Sequence, residues 1–293
     1  MSETELEEST EVNTGSSVDS TVDDMRWYVV QAYSGFEKRV QQALQTRIDQ
    51  SDLKDQFGRD TVPTEDVVEL KHSPRMLAAE RMLDDLLAVI DASEPTPDLQ
   101  RARSILGGWD RTAAATSRGG VLFKAWFNAY MQMTDTMEYR VEWDRAAPAQ
   151  TPFGVGKPGR ALAALRLAME DLADEGVAPD ARWGDVHRVV RGDDDAPVSG
   201  CEGALGCFRT LSFASLDDGR RVVNGGDGWV FAVEFGEQPR GYSILAYGQS
   251  RLEDSPHHDD QAAMFARNEM KPILWREEQI AAAAIRRYRP GAR

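Results

Sequence analysis

One feature limits what this chain can fold into more than any other: its character changes at Lys71–Ser73. Before that point, short aromatic and β-branched runs flank one amphipathic helix. After it, helical apolar stripes follow one another to about residue 173, and strand-like runs take over from Ser199. No Gly/Ser/Pro linker separates Leu70 from Ser73. The chain therefore reads as an acidic tail without a fold of its own (1–24), a first segment (25–71) and a second segment (72–293) of α+β class.

Of the 293 residues, 41% are apolar, enough for a buried core in one large or two smaller domains. The net charge is −15, and eight of those negative charges lie in the first 24 residues, which hold no Lys or Arg. Such a tail cannot bury enough surface to offset chain entropy. An acidic balance also argues against direct binding to a nucleic-acid backbone. No stretch is long and apolar enough to span a bilayer, and residues 1–24 are unlike a secretory leader, so no membrane partner and a cytoplasmic location are expected. Cys201 and Cys207 stand in a Gly-containing loop; a disulfide there would require export, and two reduced thiols are expected. Without further Cys or His nearby they make no zinc site.

In the first segment, Arg26–Ala32 reads as a strand, and Phe36, Val40, Leu44 and Ile48 as one stripe of a helix. Phe57-Gly58 reads as a turn and Glu65–Leu70 as a second strand. Ser2 invites comparison with N-terminal serine nucleophiles, but its acidic surroundings do not build the buried strand end that such chemistry needs. The runs Trp27-Tyr28-Val29-Val30-Gln31-Ala32-Tyr33-Ser34-Gly35-Phe36-Glu37 and Val62-Pro63-Thr64-Glu65 resemble the start of the N-terminal domain of the transcription factor NusG, over residues 26–71. The resemblance implies an α/β unit that docks on RNA polymerase through an apolar surface. Trp27, Tyr28 and Phe36 are also accounted for as ordinary core residues. After Leu70 the pattern departs: the basic linker, the Phe-Pro-Gly-Tyr-type strand and any KOW-like barrel do not follow.

In the second segment, Ser73-Pro74 reads as the start of a helix striped by Met76, Ala79, Leu83, Leu86, Leu87 and Ile90. Further helices are expected over 98–106, 117–133 and 160–173, then strands over 208–213, 221–223, 229–235 and 242–247. A helix from Ser255-Pro256 through Phe265 and an Ala-rich one over 277–288 complete the reading. Trp109-Asp110, Ser117-Arg118-Gly119, Arg182-Trp183-Gly184-Asp185-Val186-His187-Arg188, Tyr247-Gly248-Gln249-Ser250 and Ser255-Pro256-His257-His258-Asp259-Asp260-Gln261 look like the C-terminal part of the β subunit of penicillin-acylase-type enzymes. The acyl-homoserine-lactone and aculeacin acylases are the branch most similar. The resemblance implies part of an αββα sandwich of the N-terminal-nucleophile hydrolases, an exported family that cleaves amides of fatty or aromatic acids. Its mechanism needs a free N-terminal serine whose own amine carries the proton, with backbone N–H groups and an asparagine on the oxyanion. None of these maps onto a residue here; Asn128, Asn224 and Asn268 stand in other contexts.

The remaining polar groups make no alternative site. His257-His258-Asp259-Asp260 are expected in the first turn of the helix from Ser255, where neighbours point about 100° apart and cannot converge on one ion. Asp193-Asp194-Asp195 reads as a solvated loop, and Asn224-Gly225-Gly226-Asp227-Gly228 as a hairpin or bulge rather than a phosphate cradle. His187 beside Asp185 could be a base or the partner of a buried carboxylate, but has no nucleophile in reach. The expectation is no catalytic, cofactor or metal residue. Three readings stand: an inactive acylase fragment with a NusG-like leader, which a separate acylase chain could complete; a transcription factor that reaches RNA polymerase through 25–71; or an accidental fusion without function. Truncated sheets leave open edges and apolar faces, so sparing solubility is expected.

Overall fold

The structure is a computed structural model, and it describes residues 64–133, 138–234 and 239–284. The chain divides into two compact units, Met1–Val62 and Pro63–Arg293, and everything below concerns the second. The tail, the strand at 26–32, the helix at 36–48 and the turn at 57–58 lie outside the described residues.

Eight α-helices and seven strands are assigned among those residues. Helices α1 (Thr64–Lys71), α2 (Leu77–Asp91), α3 (Pro97–Gly107), α4 (Gly120–Met133), α5 (Pro158–Asp174) and the short α6 (Trp183–Val186) come first. Strands β1 (His187–Arg191), β2 (Asp194–Pro197), β3 (Leu211–Ser215), β4 (Arg221–Gly226), β5 (Trp229–Glu234) and β6 (Arg240–Leu245) follow. The chain continues through α7 (Ala262–Ala266), β7 (Lys271–Pro272) and α8 (Glu277–Ala283). One sheet runs β2-β1-β4-β3, with β1 and β4 parallel and the other pairs antiparallel; the second runs β5-β6-β7. The class is α+β.

The apolar stripes read from the sequence face inward. Met82, Leu83, Leu86, Leu106, Phe123, Trp126 and Leu165 are buried in one helical core. A second core gathers Val189, Val198, Leu211 and Val223 from the four-stranded sheet and its flank, Val230 and Ile244 from the three-stranded sheet, and Ala262, Phe265 and Ala266 from α7. Thr96 caps α3 by accepting from the Leu99 amide at 3.3 Å, with Pro97 at the first helical position.

Four local readings need correction. Glu65–Leu70 is helical rather than extended: Glu65 and Asp66 lie in the first turn of α1 and Lys71 in the last, matching the helix dipole. This helix packs on β5 and β6, where the Thr64 hydroxyl donates to Glu234 and the Tyr242 hydroxyl to Glu65. Ser73-Pro74 precedes the helix instead of starting it. The Pro74 carbonyl accepts from Ala113 at 2.7 Å and the Met76 amide donates to Arg111, which delays α2 to Leu77. Residues 255–260 form turns, and only Ala262–Ala266 is helical. Of the acidic loop, Asp194–Pro197 is strand β2, and Asp195 pairs with both Arg188 and Arg220. The Gly-rich 224–226 stretch ends β4 across from a register shift at Ser212/Phe213. Gly226 has φ +110°, and a Cβ there would meet the Thr210 carbonyl oxygen at 2.3 Å.

Candidate functional site

Helix α4 is apolar on nearly every side, yet Lys124 lies within it and is only 6% exposed. Its ammonium sits 4.9 Å from the Phe213 ring centroid and pairs with Glu202. It also meets Nε2 of His187 at 3.3 Å. His187, fully buried at the start of β1, stacks on Trp183 with centroids 3.7 Å apart and meets Phe213 edge-on. Its Nδ1 lies 3.2 Å from the Trp183 carbonyl oxygen. A carbonyl can only accept, so Nδ1 carries the proton and Nε2 offers its lone pair to Lys124. Burial, then the charges of Lys124 and Arg221, push the His187 pKa well below its ordinary value, and the imidazole is neutral. Burial also lowers Lys124, with Glu202 pulling the other way.

In this buried polar cluster Glu202 Oε2 and Trp183 Nε1 have no hydrogen-bond partner among the described residues, but the imidazole offers no free nitrogen. Both imidazole nitrogens are engaged. Asp185 is exposed, and the partner of His187 is Lys124, not a carboxylate. Among the described residues no Ser or Thr hydroxyl bonds to His187. Glu202 owes its position to the loop that carries it: Cys201 and Cys207 are joined by a disulfide, with Cα atoms 5.5 Å apart. The expected reduced thiols are thus corrected. Gly206, at φ +79°, turns the loop back against Leu77 and brings the sulfurs together. Neither sulfur is a free nucleophile. The sequence reading missed Lys124 and Glu202. A lone charge inside the run Val121–Phe127 was the available signal for the first.

The family-like motifs also close on themselves. Ser117 donates to Asp110 and accepts from Trp109 Nε1 at 2.9 Å, while the Trp183 amide donates to the Ser117 carbonyl at 2.8 Å. Arg118 and Arg182 form a bridge. Arg188 reaches the Gly184 carbonyl. In the later motif, the side chain of buried Gln261 accepts from the Leu245 amide, and its backbone amide donates to the Tyr247 carbonyl. A Cβ on Gly248 would meet the His257 and His258 carbonyl oxygens. His257 contacts Asp260 and His258 contacts the Ser250 carbonyl, so the two imidazoles take different partners. The helical premise for these residues is replaced by a turn. Among the described residues, no group of three or more His, Cys, Asp or Glu side chains is placed to hold a metal.

Two other features lie apart from these motifs. Arg209, 1% exposed, donates to Asn268 and to the Phe265 carbonyl, and burial pulls its pKa down to about 10. Asn268 is thereby engaged in packing, and Asn224 stands within β4. An open groove of about 810 Å³ runs beside α1, with Glu65, Asp66 and Glu69 along one side and Tyr242, Asn268 and Met270 along the other. Among the described residues, no helix is long and apolar enough to cross a membrane.

Comparison with known proteins bears on these motifs. The penicillin amidase family model matches residues 19–282. The acyl-homoserine lactone acylase PvdQ of Pseudomonas fluorescens is 32% identical over 228 residues, covering 74% of this chain and 29% of that protein. The aculeacin-A acylase of Actinoplanes utahensis is 30% identical over 278 residues, 87% of this chain and 34% of that protein. The chain thus spans about a third or less of these acylases. The transcription termination/antitermination protein NusG of Haemophilus influenzae is 33% identical over 131 residues, 43% of this chain and 69% of that protein. The chain belongs to the penicillin amidase family, and the stretch matched to NusG belongs with that second family.

Proposed function

We propose that this chain provides the C-terminal part of an amide-hydrolysing acylase of the acyl-homoserine-lactone or aculeacin type, and that alone it cleaves no amide. The observation that carries this reading is the engagement of both His187 nitrogens. His187, the imidazole with no exposed surface among the described residues, has both nitrogens occupied, and both sulfurs are in a disulfide. Nucleophilic catalysis needs a hydroxyl, thiol or amine beside a free base. The motifs that resemble the acylases hold local structure together, in what we take to be one portion of an αββα sandwich. Activity would then require a second chain that brings an N-terminal serine and its oxyanion donors. The buried cystine supports maturation in an oxidising compartment, against the cytoplasmic location expected from residues 1–24.

The test is to incubate the purified full chain with N-acyl-homoserine lactones of graded acyl length and measure release of homoserine lactone. The reading expects no turnover. Turnover that survives purification and disappears in Ser2→Ala would replace it with an enzyme that uses its own first serine. The NusG likeness supports a second reading, in which residues 25–71 bind RNA polymerase. Capture of purified polymerase by the full chain, lost in Phe36→Ala, would favour it; no capture would remove it.

A further inference from the structure

We propose that the Cys201–Cys207 disulfide is a redox clasp: it holds Glu202 on the buried ammonium of Lys124, and breaking it opens the seam between the helical core and the four-stranded sheet at that point. Glu202 directly follows Cys201 and directly precedes the 3-10 turn Gly203–Leu205, so the clasp encloses the residue that neutralises Lys124. The two ends of the loop are held differently. On the Cys201 side, main-chain bonds fix the strand-like path: Cys201 donates to Arg209 at 3.2 Å, Leu211 to Cys201 at 2.9 Å, and Gly200 to Ala113 at 3.0 Å. On the Cys207 side, the Thr210 hydroxyl bond, the Lys71 ammonium on the Phe208 carbonyl and the disulfide do that work.

Lys124 reaches from α4 to His187 on β1 and Phe213 on β3, so it spans the seam. An ammonium buried there without its carboxylate is strongly disfavoured. Once the loop slackens, the favourable responses are for Glu202 to leave and for Lys124 to follow it toward water.

The chemistry needs a thiol reductant, such as the low-molecular-weight thiols of a reducing compartment. One thiolate attacks a cystine sulfur, the S–S bond breaks and a mixed disulfide forms. A second thiol resolves it. Two protein S–H groups and one small-molecule disulfide result, with two electrons and two protons passing to the protein. Both sulfurs are buried, so reduction proceeds through transient opening of the loop.

The experiment is lysine footprinting of the full chain by acetylation and peptide mass spectrometry. It is run on the oxidised chain and on the chain reduced with dithiothreitol and alkylated. Lys271, in β7 of the other sheet, reports on the rest of the fold; Lys71 donates to the Phe208 carbonyl beside Cys207 and moves with the loop. The clasp predicts that Lys124 labelling rises about tenfold on reduction, while Lys271 stays constant. The Cys201→Ser/Cys207→Ser double variant should match the reduced chain. Glu202→Gln, with the disulfide closed, should raise Lys124 labelling by itself. A Lys124 that stays protected after reduction overturns the proposal. So does a joint rise of Lys124 and Lys271, which would make the disulfide a brace for the whole fold, and so does a Glu202→Gln variant that labels like the parent.

Discussion

At the scale of the residue, the cluster around His187 shows how burial reassigns a side chain. An imidazole with a free nitrogen is a base; this one gives its proton to a backbone carbonyl and its lone pair to a lysine. The pH dependence follows. His187 is depressed in the folded chain and ordinary in the unfolded one, so below pH 6.5 the unfolded chain takes up a proton that the folded chain refuses. Stability is therefore greatest above pH 6.5 and falls as the pH is lowered from there, by at most about 1.4 kcal/mol per pH unit for this group. His72, also lowered by burial, adds in the same direction. Urea unfolding between pH 7 and pH 5 should show that loss, and His187→Gln should reduce the slope. An unchanged slope would mean that the ring titrates normally. Glu202, by contrast, keeps an exposed flank, with 30% of its side chain accessible. Glu202→Gln should cost about 1–3 kcal/mol in the same assay, and a neutral result would show that Lys124 finds another partner.

At the scale of the element, removing the Thr96 cap is the simplest probe. Thr96→Ala should cost about 0.5–2 kcal/mol with the fold retained, read as a lower denaturation midpoint. Gly226→Ala should be more disruptive, because the left-handed backbone and the Thr210 carbonyl leave no room for a methyl group. A Gly226→Ala variant with parent stability would contradict the bulged end of β4. These elements also show what was legible in the sequence. Helices α2 to α5 were, because long stripes with a 3.6-residue period leave little ambiguity. Helix α1 was misread because Val67, Val68 and Leu70 suit a strand, and only packing against β5 selects the helix. Strands β1 and β2 went unseen: Asp194 and Asp195 depress strand propensity, and it is the pairing of Arg188 and Arg220 with Asp195 that offsets this. The Ser255-Pro256 motif was specific as a family mark but not as a helix start. Ser255 instead accepts from the His257 amide and tightens a turn.

At the scale of the whole molecule, two cores pack well, but β5 carries an exposed aromatic pair. Trp229 is 65% and Phe231 48% exposed, with ring centroids 5.4 Å apart. Such a pair favours self-association. Trp229→Ser/Phe231→Ser should raise the concentration at which light scattering still reports a single small species; no change would place the association surface elsewhere. The candidate site was legible only in part, because Lys124, His187 and Glu202 come from three distant stretches whose convergence has no sequence signature. Membership of an acylase family and the proposed lack of self-sufficient amide chemistry are compatible, since the reacting groups of such enzymes need not lie on the part that scaffolds them. Pre-steady-state kinetics with a chromogenic p-nitrophenyl ester of a medium-chain fatty acid examines this most directly. The account predicts no burst of p-nitrophenolate above the buffer rate. A burst of about one equivalent per chain, abolished by His187→Gln, would show an acyl-enzyme and contradict it.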